Sequence, residues 1–171
     1  MKLLEDITLQ NSIEIKTTPE NIFDFFIHLE QNYQMWHPED HIALRWLKGK
    51  PFEEGSVVYY EEYLHGKVHK GKFIVSKVVP KREIEFCPVF WLWRIYFPKN
   101  TFIIEPKGEK CIFTATVSFR VGWFVKTFAR KKLEFGIERV TKHIQEEGEY
   151  LKRILESKVN SHNNRMDCDK Q

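Results

Sequence analysis

A long amphipathic segment near the end of the chain, residues 133–155, most constrains how this sequence can fold. Its apolar residues recur every three or four positions, which is typical of an α-helix with one face against a core. Such a helix has to cover another layer of structure, because its apolar stripe must be buried. The stripe consists of Leu133, Ile137, Val140, Ile144, Leu151 and Ile154.

Two titratable residues, His143 and Glu147, lie on or beside this stripe. They are four positions apart, so they lie one turn apart on the same face of the helix. A buried imidazole or carboxylate needs a partner, because an unpaired charge away from water is costly. A divalent metal ion would bind both, one through nitrogen and one through oxygen. The same spacing also occurs in ordinary solvent-exposed pairs, so the pair alone does not decide.

Upstream of the helix, the sequence predicts one strand, two short helices and about six further antiparallel strands. Thr18 and Pro19 are typical of a helix start, and the chain should leave the second helix near His37, before Pro38. Pro88 suggests an edge strand or a bulge. We expect an α+β fold in which the C-terminal helix packs across a curved antiparallel sheet with a cavity between them. The predicted strands cover residues 12–16, 42–47, 55–64, 67–79, 83–90, an interrupted 91–105, and 112–121.

The chain of 171 residues fits one domain, which we place at residues 1–157, followed by a disordered polar tail at 158–171. Its net charge is +3 and its charges are intermixed, which argues against nucleic-acid binding. No apolar run reaches the length of a membrane span. Three widely spaced cysteines and an N-terminus without signal-peptide character predict a cytoplasmic protein. We expect a monomer or a homodimer.

Aromatic residues make up 15% of the chain, more than a plain core needs. This share predicts an aromatic cavity suited to a small hydrophobic or aromatic carbonyl compound. The run from Phe90 to Trp93 fits the wall or mouth of such a cavity, but also a core segment or a dimer surface. His65 and His69 are expected to be exposed at or near turns, and His28 and His162 to lie on the surface.

The predicted element order resembles the START-like, helix-grip superfamily, which includes polyketide cyclases and lipid carriers. That resemblance covers residues 10–157. A more specific resemblance, to the diacetylphloroglucinol and phloretin hydrolase family, is carried by three motifs. They are Tyr33-x-x-Trp36-His37-Pro38-Glu39-Asp40-His41, Glu62-Tyr63-Leu64-His65-Gly66 and His143-x-x-x-Glu147.

The hydrolase family is START-like, holds a zinc ion with two His and two Glu, and cleaves a carbon–carbon bond between an acyl group and a phenolic ring. The resemblance implies that His41, Glu62, His143 and Glu147 are the zinc ligands of this chain. Iron and manganese accept the same ligand types. This chain is shorter than the characterised enzymes and lacks their N-terminal extension, so the resemblance does not define its substrate.

Two of these ligand positions have competing candidates. His41 is favoured over His37, because it begins a strand and can point into the cavity, whereas His37 precedes a proline. Glu61 and Glu62 point to opposite faces of one strand, so only one of them can face inward. The likeness of the Glu62 motif to the family favours Glu62.

Tyr33, Tyr60 and His37 are the candidate catalytic residues. Cleavage that releases a phenolate-like group needs side chains that bind a phenol oxygen. Tyr33 occupies the right place in the motif, and Tyr60 lies on the same strand face as Glu62.

The leading hypothesis is a zinc-dependent hydrolase. The alternatives are non-catalytic binding or transport of a hydrophobic ligand, and a metal-free polyketide cyclase or dehydratase that uses His and Glu as acid and base.

Overall fold

The computed structural model describes residues 4–64 and 66–168, with side chains described as far as residue 158. Within these ranges the chain forms seven strands and five helices, which confirms the predicted α+β class. The predicted positions of His65 and of the His162 side chain lie outside the described parts. The elements are β1 Leu4–Ile15, α1 Pro19–Ile27, α2 Leu29–Trp36, β2 His41–Lys48, β3 Val57–Leu64, β4 Lys67–Val79, β5 Glu83–Pro88, α3 Trp91–Tyr96, β6 Lys99–Lys107, β7 Lys110–Gly122, α4 Trp123–Phe128 and α5 Arg130–Cys168.

All seven strands belong to one antiparallel sheet with the order β1-β7-β6-β5-β4-β3-β2. Helix α5 packs across β1 and β7 and also contacts α2, as its apolar stripe requires. None of the described helices has the length and apolar character needed to cross a bilayer.

Helices α1 and α2 fill one end of the space beneath the sheet. Thr18 caps α1 by accepting a hydrogen bond from the backbone N–H of Asn21 at 3.4 Å, and Pro19 follows in the first turn, as predicted. The Phe26 ring stacks on Phe102 at a centroid distance of 4.9 Å. This packed part of the core leaves the other end of the fold open. Its buried apolar residues include Ile15, Ile22, Phe25, Phe26, Trp36, Phe102, Ile104, Phe113, Leu151 and Leu155.

Two predicted elements differ in the structure. Strand β1 begins at Leu4 rather than Ser12, because it pairs with β7 from Leu4 opposite Gly122 onward. Helix α3 replaces the first half of the predicted interrupted strand, since an almost wholly apolar run carries no periodicity to separate helix from strand, whereas the second half lies within β6. Pro88 ends β5 opposite Phe73 of β4 and has no β6 partner, because the β5–β6 pairs stop at Phe86, as the edge alternative predicts.

The last helix also differs from its predicted extent. The short helix α4 precedes it, and α5 runs from Arg130 to Cys168 rather than ending near Ser157. The predicted division into a domain at 1–157 and a disordered tail at 158–171 stays a prediction.

Candidate metal centre and ligand cavity

Four side chains from three elements converge at the end of the sheet where β2 begins. His41 and Glu62 lie directly opposite each other in the β2–β3 pair. His143 and Glu147 reach the same point from α5, and both are buried. One ligand atom from each of His41, Glu62 and His143 lies within 4.8 Å of the others. The fourth residue is close to the two histidines, because Oε1 of Glu147 lies 3.1 Å from Nε2 of His41 and 3.7 Å from Nε2 of His143.

His41 provides a test of whether a cation fits this cluster. Its Nδ1 lies 2.9 Å from the backbone carbonyl of Tyr33, which can only accept, so Nδ1 carries a proton. In the neutral form of the ring, Nε2 then carries a lone pair. Nε2 is fully buried and has no hydrogen-bond partner among the described residues. It is within ion-pair distance of Glu147 but makes no hydrogen bond to it. With the ring neutral, two electron-rich atoms face each other, and a shared cation would satisfy both. With the ring protonated, the same nitrogen instead helps to lower the pKa of Glu147.

His143 is oriented in the same way by a carboxylate. Its Nδ1 lies 2.9 Å from Oδ2 of Asp40, which leaves Nε2 toward the cluster. Histidine ligands of metals usually donate their second ring N–H to such a partner. Burial works to lower the pKa of His143, but the carboxylates of Glu147 and Glu62 raise it above its ordinary value. The imidazole is thus surrounded by negative charge, and the same carboxylates would attract a metal cation.

The two carboxylates differ in their supports. Glu62 accepts a hydrogen bond from the Tyr33 hydroxyl at 2.6 Å. Burial and the charge of Glu62 both raise the pKa of that phenol well above its usual range, so Tyr33 is a neutral donor. Burial works to raise the pKa of Glu147, yet the neighbouring His143 and His41 hold it below its ordinary value. Glu147 is therefore an ionised acceptor.

A tryptophan connects α2 to α5 at this cluster. The Trp36 Nε1–H donates to the backbone carbonyl of Glu147 at 2.9 Å, and both groups are buried. The Tyr33 ring stacks on the His41 ring at a centroid distance of 4.0 Å. The cluster consequently rests on a rigid aromatic support from α2.

The competing ligand candidates have different surroundings. Glu61 points away from the cavity, where it pairs with Lys70 at 3.0 Å and accepts from the Tyr59 hydroxyl. Glu62, the candidate favoured over Glu61, lines the cavity. The assignment of Glu62 as a ligand stays a prediction.

His37 is buried behind the cluster. Its Nδ1 accepts from the Asp40 backbone N–H at 3.2 Å, and its Nε2 lies 3.3 Å from Glu146. His37, Asp40 and His143 also bring three potential ligand atoms within 4.8 Å of one another. Because both nitrogens of His37 are engaged outside the cavity, its predicted catalytic role gains no support from this geometry.

Tyr60 forms part of the cavity wall near Glu62. Its ring stacks on Phe73 at a centroid distance of 4.7 Å. Burial and the charge of Glu62 raise the pKa of Tyr60 to about 12. Gly71 makes room for this ring, because a Cβ atom at that position would lie 2.7 Å from it. Tyr60 is therefore a neutral phenol at the edge of the cluster.

A cavity of about 900 Å³ opens from the cluster between the sheet and α5. Its wall is mainly apolar and aromatic, with Glu62, His143 and Glu147 near one end and Lys70 and Lys72 also in the lining. The run from Phe90 to Trp93 contributes to its mouth and is exposed, so the predicted core alternative is wrong.

Two cavity-lining residues carry buried polar atoms with no protein partner among the described residues, Trp46 Nε1 and Asn100 Oδ1. Sequence reasoning missed both, since neither lies in a recognisable motif. Asp40 was given no role either, although it lies within the first of the three motifs.

His28 is exposed as predicted, and His69 is exposed within β4, where it also lines the cavity.

The sequence matches no family model and no curated protein. Solved structures do match. A Polyketide_cyc-like protein from Corynebacterium glutamicum is 18% identical, with a TM-score of 0.60 over 92% of this chain and 96% of that one. Ginseng major latex-like protein 151 from Panax ginseng is 17% identical, with a TM-score of 0.57 over 82% and 97%. The di-domain ARO/CYC BexL from the BE-7585A biosynthetic pathway is 11% identical, with a TM-score of 0.67 over 88% of this chain and 50% of that one.

These identities are low, so the likeness establishes the fold alone. The chain has the START-like helix-grip fold of Bet v1-like and polyketide cyclase-like proteins, as predicted. The narrower resemblance to phloretin hydrolases finds no match among these comparisons.

Proposed function

We propose that the chain binds a small, mainly apolar, aromatic ligand in its cavity. The observation that carries this proposal is the cavity itself, about 900 Å³ of aromatic-lined space beside a polar cluster. At the polar end of the cavity, the neutral Tyr60 hydroxyl can donate a hydrogen bond to a ligand oxygen, and the Glu62 side chain can accept one from a ligand hydroxyl. A hydroxylated aromatic ketone provides both, and polyketide-type compounds belong to this chemical class. The structural neighbours named for polyketide cyclisation are consistent with such a ligand.

Ligand binding is testable by quenching of intrinsic tryptophan fluorescence with a panel of hydroxylated aromatic ketones and their deoxygenated analogues. We expect hydroxylated members to bind more tightly to the wild type, and the preference to fall in Tyr60→Phe. Thr127→Ala, at an exposed position outside the cavity, is the matched control. A panel with no saturable binding would contradict the proposal.

A second candidate function, metal-dependent hydrolysis, is favoured by the unpartnered Nε2 of His41 beside Glu147. In this proposal His41, Glu62, His143 and Glu147 hold a zinc ion, and iron or manganese would suit the same ligands. When bound, zinc supplies a Lewis acid that polarises a carbonyl or lowers the pKa of water. Each proposed ligand has a support: Tyr33 for His41 and Glu62, Asp40 for His143, and histidines for Glu147.

The chain's own groups would then serve a carbon–carbon hydrolysis. A water oxygen forms a bond to the acyl carbon of the substrate, and the bond between that carbon and the phenolic ring breaks. Its electron pair stays on the ring carbon, which takes up a proton, so the products are a carboxylic acid and the deacylated phenol. Tyr33 and Tyr60 are neutral phenols near the cluster and would donate hydrogen bonds to the substrate oxygens.

Elemental analysis of protein purified without an affinity tag separates these functions. The hydrolase proposal expects about one zinc per chain, as a single four-ligand site implies, and loss of that zinc in His143→Ala and Glu147→Ala. Glu61→Ala is the matched control, since Glu61 faces away from the cavity. A full metal load in both helix variants would overturn the site. Turnover of an aromatic ketone by metal-free protein would instead favour the cyclase or dehydratase alternative.

A further inference from the structure

The most unusual surface of the molecule is formed by two short helices whose large side chains remain exposed. Helix α3 leaves Trp91 65% and Trp93 55% exposed, and α4 leaves Phe124 68% and Phe128 69% exposed. We call these two helices with their flanking residues, Phe90–Phe97 and Trp123–Phe128, the aromatic surface. Soluble monomers rarely leave so many large apolar side chains together in water without a partner.

The two helices lie at the same end of the sheet. Helix α4 follows β7 directly, and Arg120, three residues before α4, donates from its guanidinium to the backbone carbonyl of Ile95 in α3 at 3.5 Å. The Phe97 and Phe119 rings are 6.5 Å apart. The aromatic side chains of α4 pack on one another and not on the core, with Phe124 and Phe128 at 4.6 Å. The surface is therefore continuous across the end of β7.

Its charge is also one-sided. Residues 89–99 and 119–133 contain seven basic residues and no Asp or Glu, whereas the whole chain has 27 basic and 24 acidic residues. The rest of the chain thus has 20 basic residues against 24 acidic ones. Some of the seven pair with acidic residues of other segments, among them Arg120 with Asp6, Lys126 with Glu5 and Lys99 with Glu85. Arg94, Lys131 and Lys132 have no ion pair within the described part of the chain, and all three are exposed.

We propose that the aromatic surface docks onto membranes that contain anionic lipids. Exposed Trp and Phe side chains beside Lys and Arg are the composition of elements that insert shallowly at a bilayer surface. The unpaired basic residues complement an anionic headgroup layer. A second copy of the chain fits less well, because a two-fold interface would bring the same basic residues face to face.

The position of the surface gives this docking a role. The mouth of the cavity is partly lined by the aromatic surface itself, through Phe90, Trp91, Trp93 and Phe97, and by the adjacent Val89. Docking through this surface turns the mouth toward the bilayer, so that an apolar ligand can pass between membrane and cavity without crossing water. This inference does not depend on the metal site.

Co-sedimentation of the full chain with lipid vesicles tests the proposal. We expect binding to phosphatidylcholine vesicles that contain phosphatidylserine, weaker binding to phosphatidylcholine alone, and a blue shift of tryptophan emission on binding. Phe124→Ser/Phe128→Ser should weaken binding by about tenfold or more, because two large apolar contacts with the bilayer are lost. Lys131→Gln/Lys132→Gln should weaken binding to the anionic vesicles by about tenfold, and added salt should do the same.

The matched control is Leu47→Ser/Lys48→Gln/Lys50→Gln, which removes an exposed apolar residue and two lysines on and just after β2, the edge strand farthest from β1 and β7. It should bind as the wild type does. All variants change exposed side chains, and equal thermal unfolding midpoints verify that each is folded. Failure of the wild type to bind the anionic vesicles would overturn the proposal, as would unchanged binding by Phe124→Ser/Phe128→Ser. A dimer that this double variant dissociates, without vesicle binding, would assign the surface to self-association instead.

Discussion

Oδ2 of Asp40 lies 2.9 Å from Nδ1 of His143, across 103 residues of sequence. This contact determines which ring nitrogen of His143 faces Glu62 and Glu147. Its partner Asp40 comes from the short connection between α2 and β2, so the loop and α5 are tied together at the proposed metal centre.

The variant Asp40→Asn tests the role of the contact between Asp40 and His143. An amide accepts more weakly than a carboxylate and does not stabilise positive charge on the imidazole, so we expect zinc affinity to fall by about 10- to 100-fold. Competition with a chelating dye at fixed pH measures the affinity. Glu39→Gln, which removes the same charge from the adjacent exposed residue, should leave it unchanged. Equal affinities for wild type and Asp40→Asn would contradict this role.

Removal of metal should lower the thermal stability of the wild type. A ligand present at about 100 times its dissociation constant stabilises the native state by about 2.7 kcal/mol, which corresponds to a fall of about 5–10 °C in Tm when it is removed. Calorimetry with and without EDTA measures the change. His41→Gln, which lacks the buried Nε2, should show little response to EDTA. A response of equal size in both proteins would place the stabilising metal elsewhere.

Tyr60 should make stability fall at high pH. Burial first, and then the Glu62 carboxylate, raise its pKa from 10.0 to about 12, so the unfolded chain loses this proton before the native one does. Between pH 10 and 12 the native state thus binds more protons, and the free energy of unfolding falls as the pH rises. Urea unfolding across this range should show a smaller fall in Tyr60→Phe than in the wild type. Parallel pH profiles for the two proteins would contradict the shift.

Two glycines of α5 offer a matched pair for helix stability. A Cβ atom at Gly136 meets nothing within 4 Å, whereas one at Gly148 lies 2.8 Å from the Asn11 side-chain amide. Gly136→Ala should raise the free energy of unfolding by about 0.5–1 kcal/mol through helix propensity. Gly148→Ala should gain less or lose stability, because Asn11, which donates to the Ile144 carbonyl, must move. Urea unfolding measures both, and equal gains would show that α5 does not pack so closely on β1.

Much of the fold could be predicted from local sequence patterns. The C-terminal amphipathic stripe, the Thr18–Pro19 helix start and the alternation in β7 each follow from periodicity or capping chemistry. Helix α3 could not, since its apolar run lacks periodicity and its conformation depends on local hydrogen bonds such as Phe97 N–H to the Trp93 carbonyl at 2.7 Å. The first half of β1 was missed because its pairing with β7 is a long-range contact that short patterns do not reveal.

The candidate site was predictable only in part. The helical spacing of His143 and Glu147 put them on one face, and strand alternation required that only one of Glu61 and Glu62 face inward. The place of His41 opposite Glu62 follows from strand register, which the sequence of a single strand does not define. The orienting contact of Asp40 and the unpartnered polar atoms of Trp46 and Asn100 depend on tertiary packing, for which the sequence carries no local signal.

The hydrogen bond from Trp36 to the Glu147 carbonyl joins residues 111 positions apart and lies directly beneath the four converging side chains. The cluster consequently cannot assemble until α5 has been made, because two of its four side chains come from that helix. A chain still emerging from the ribosome would display its cavity wall before it possessed half of the proposed ligand residues.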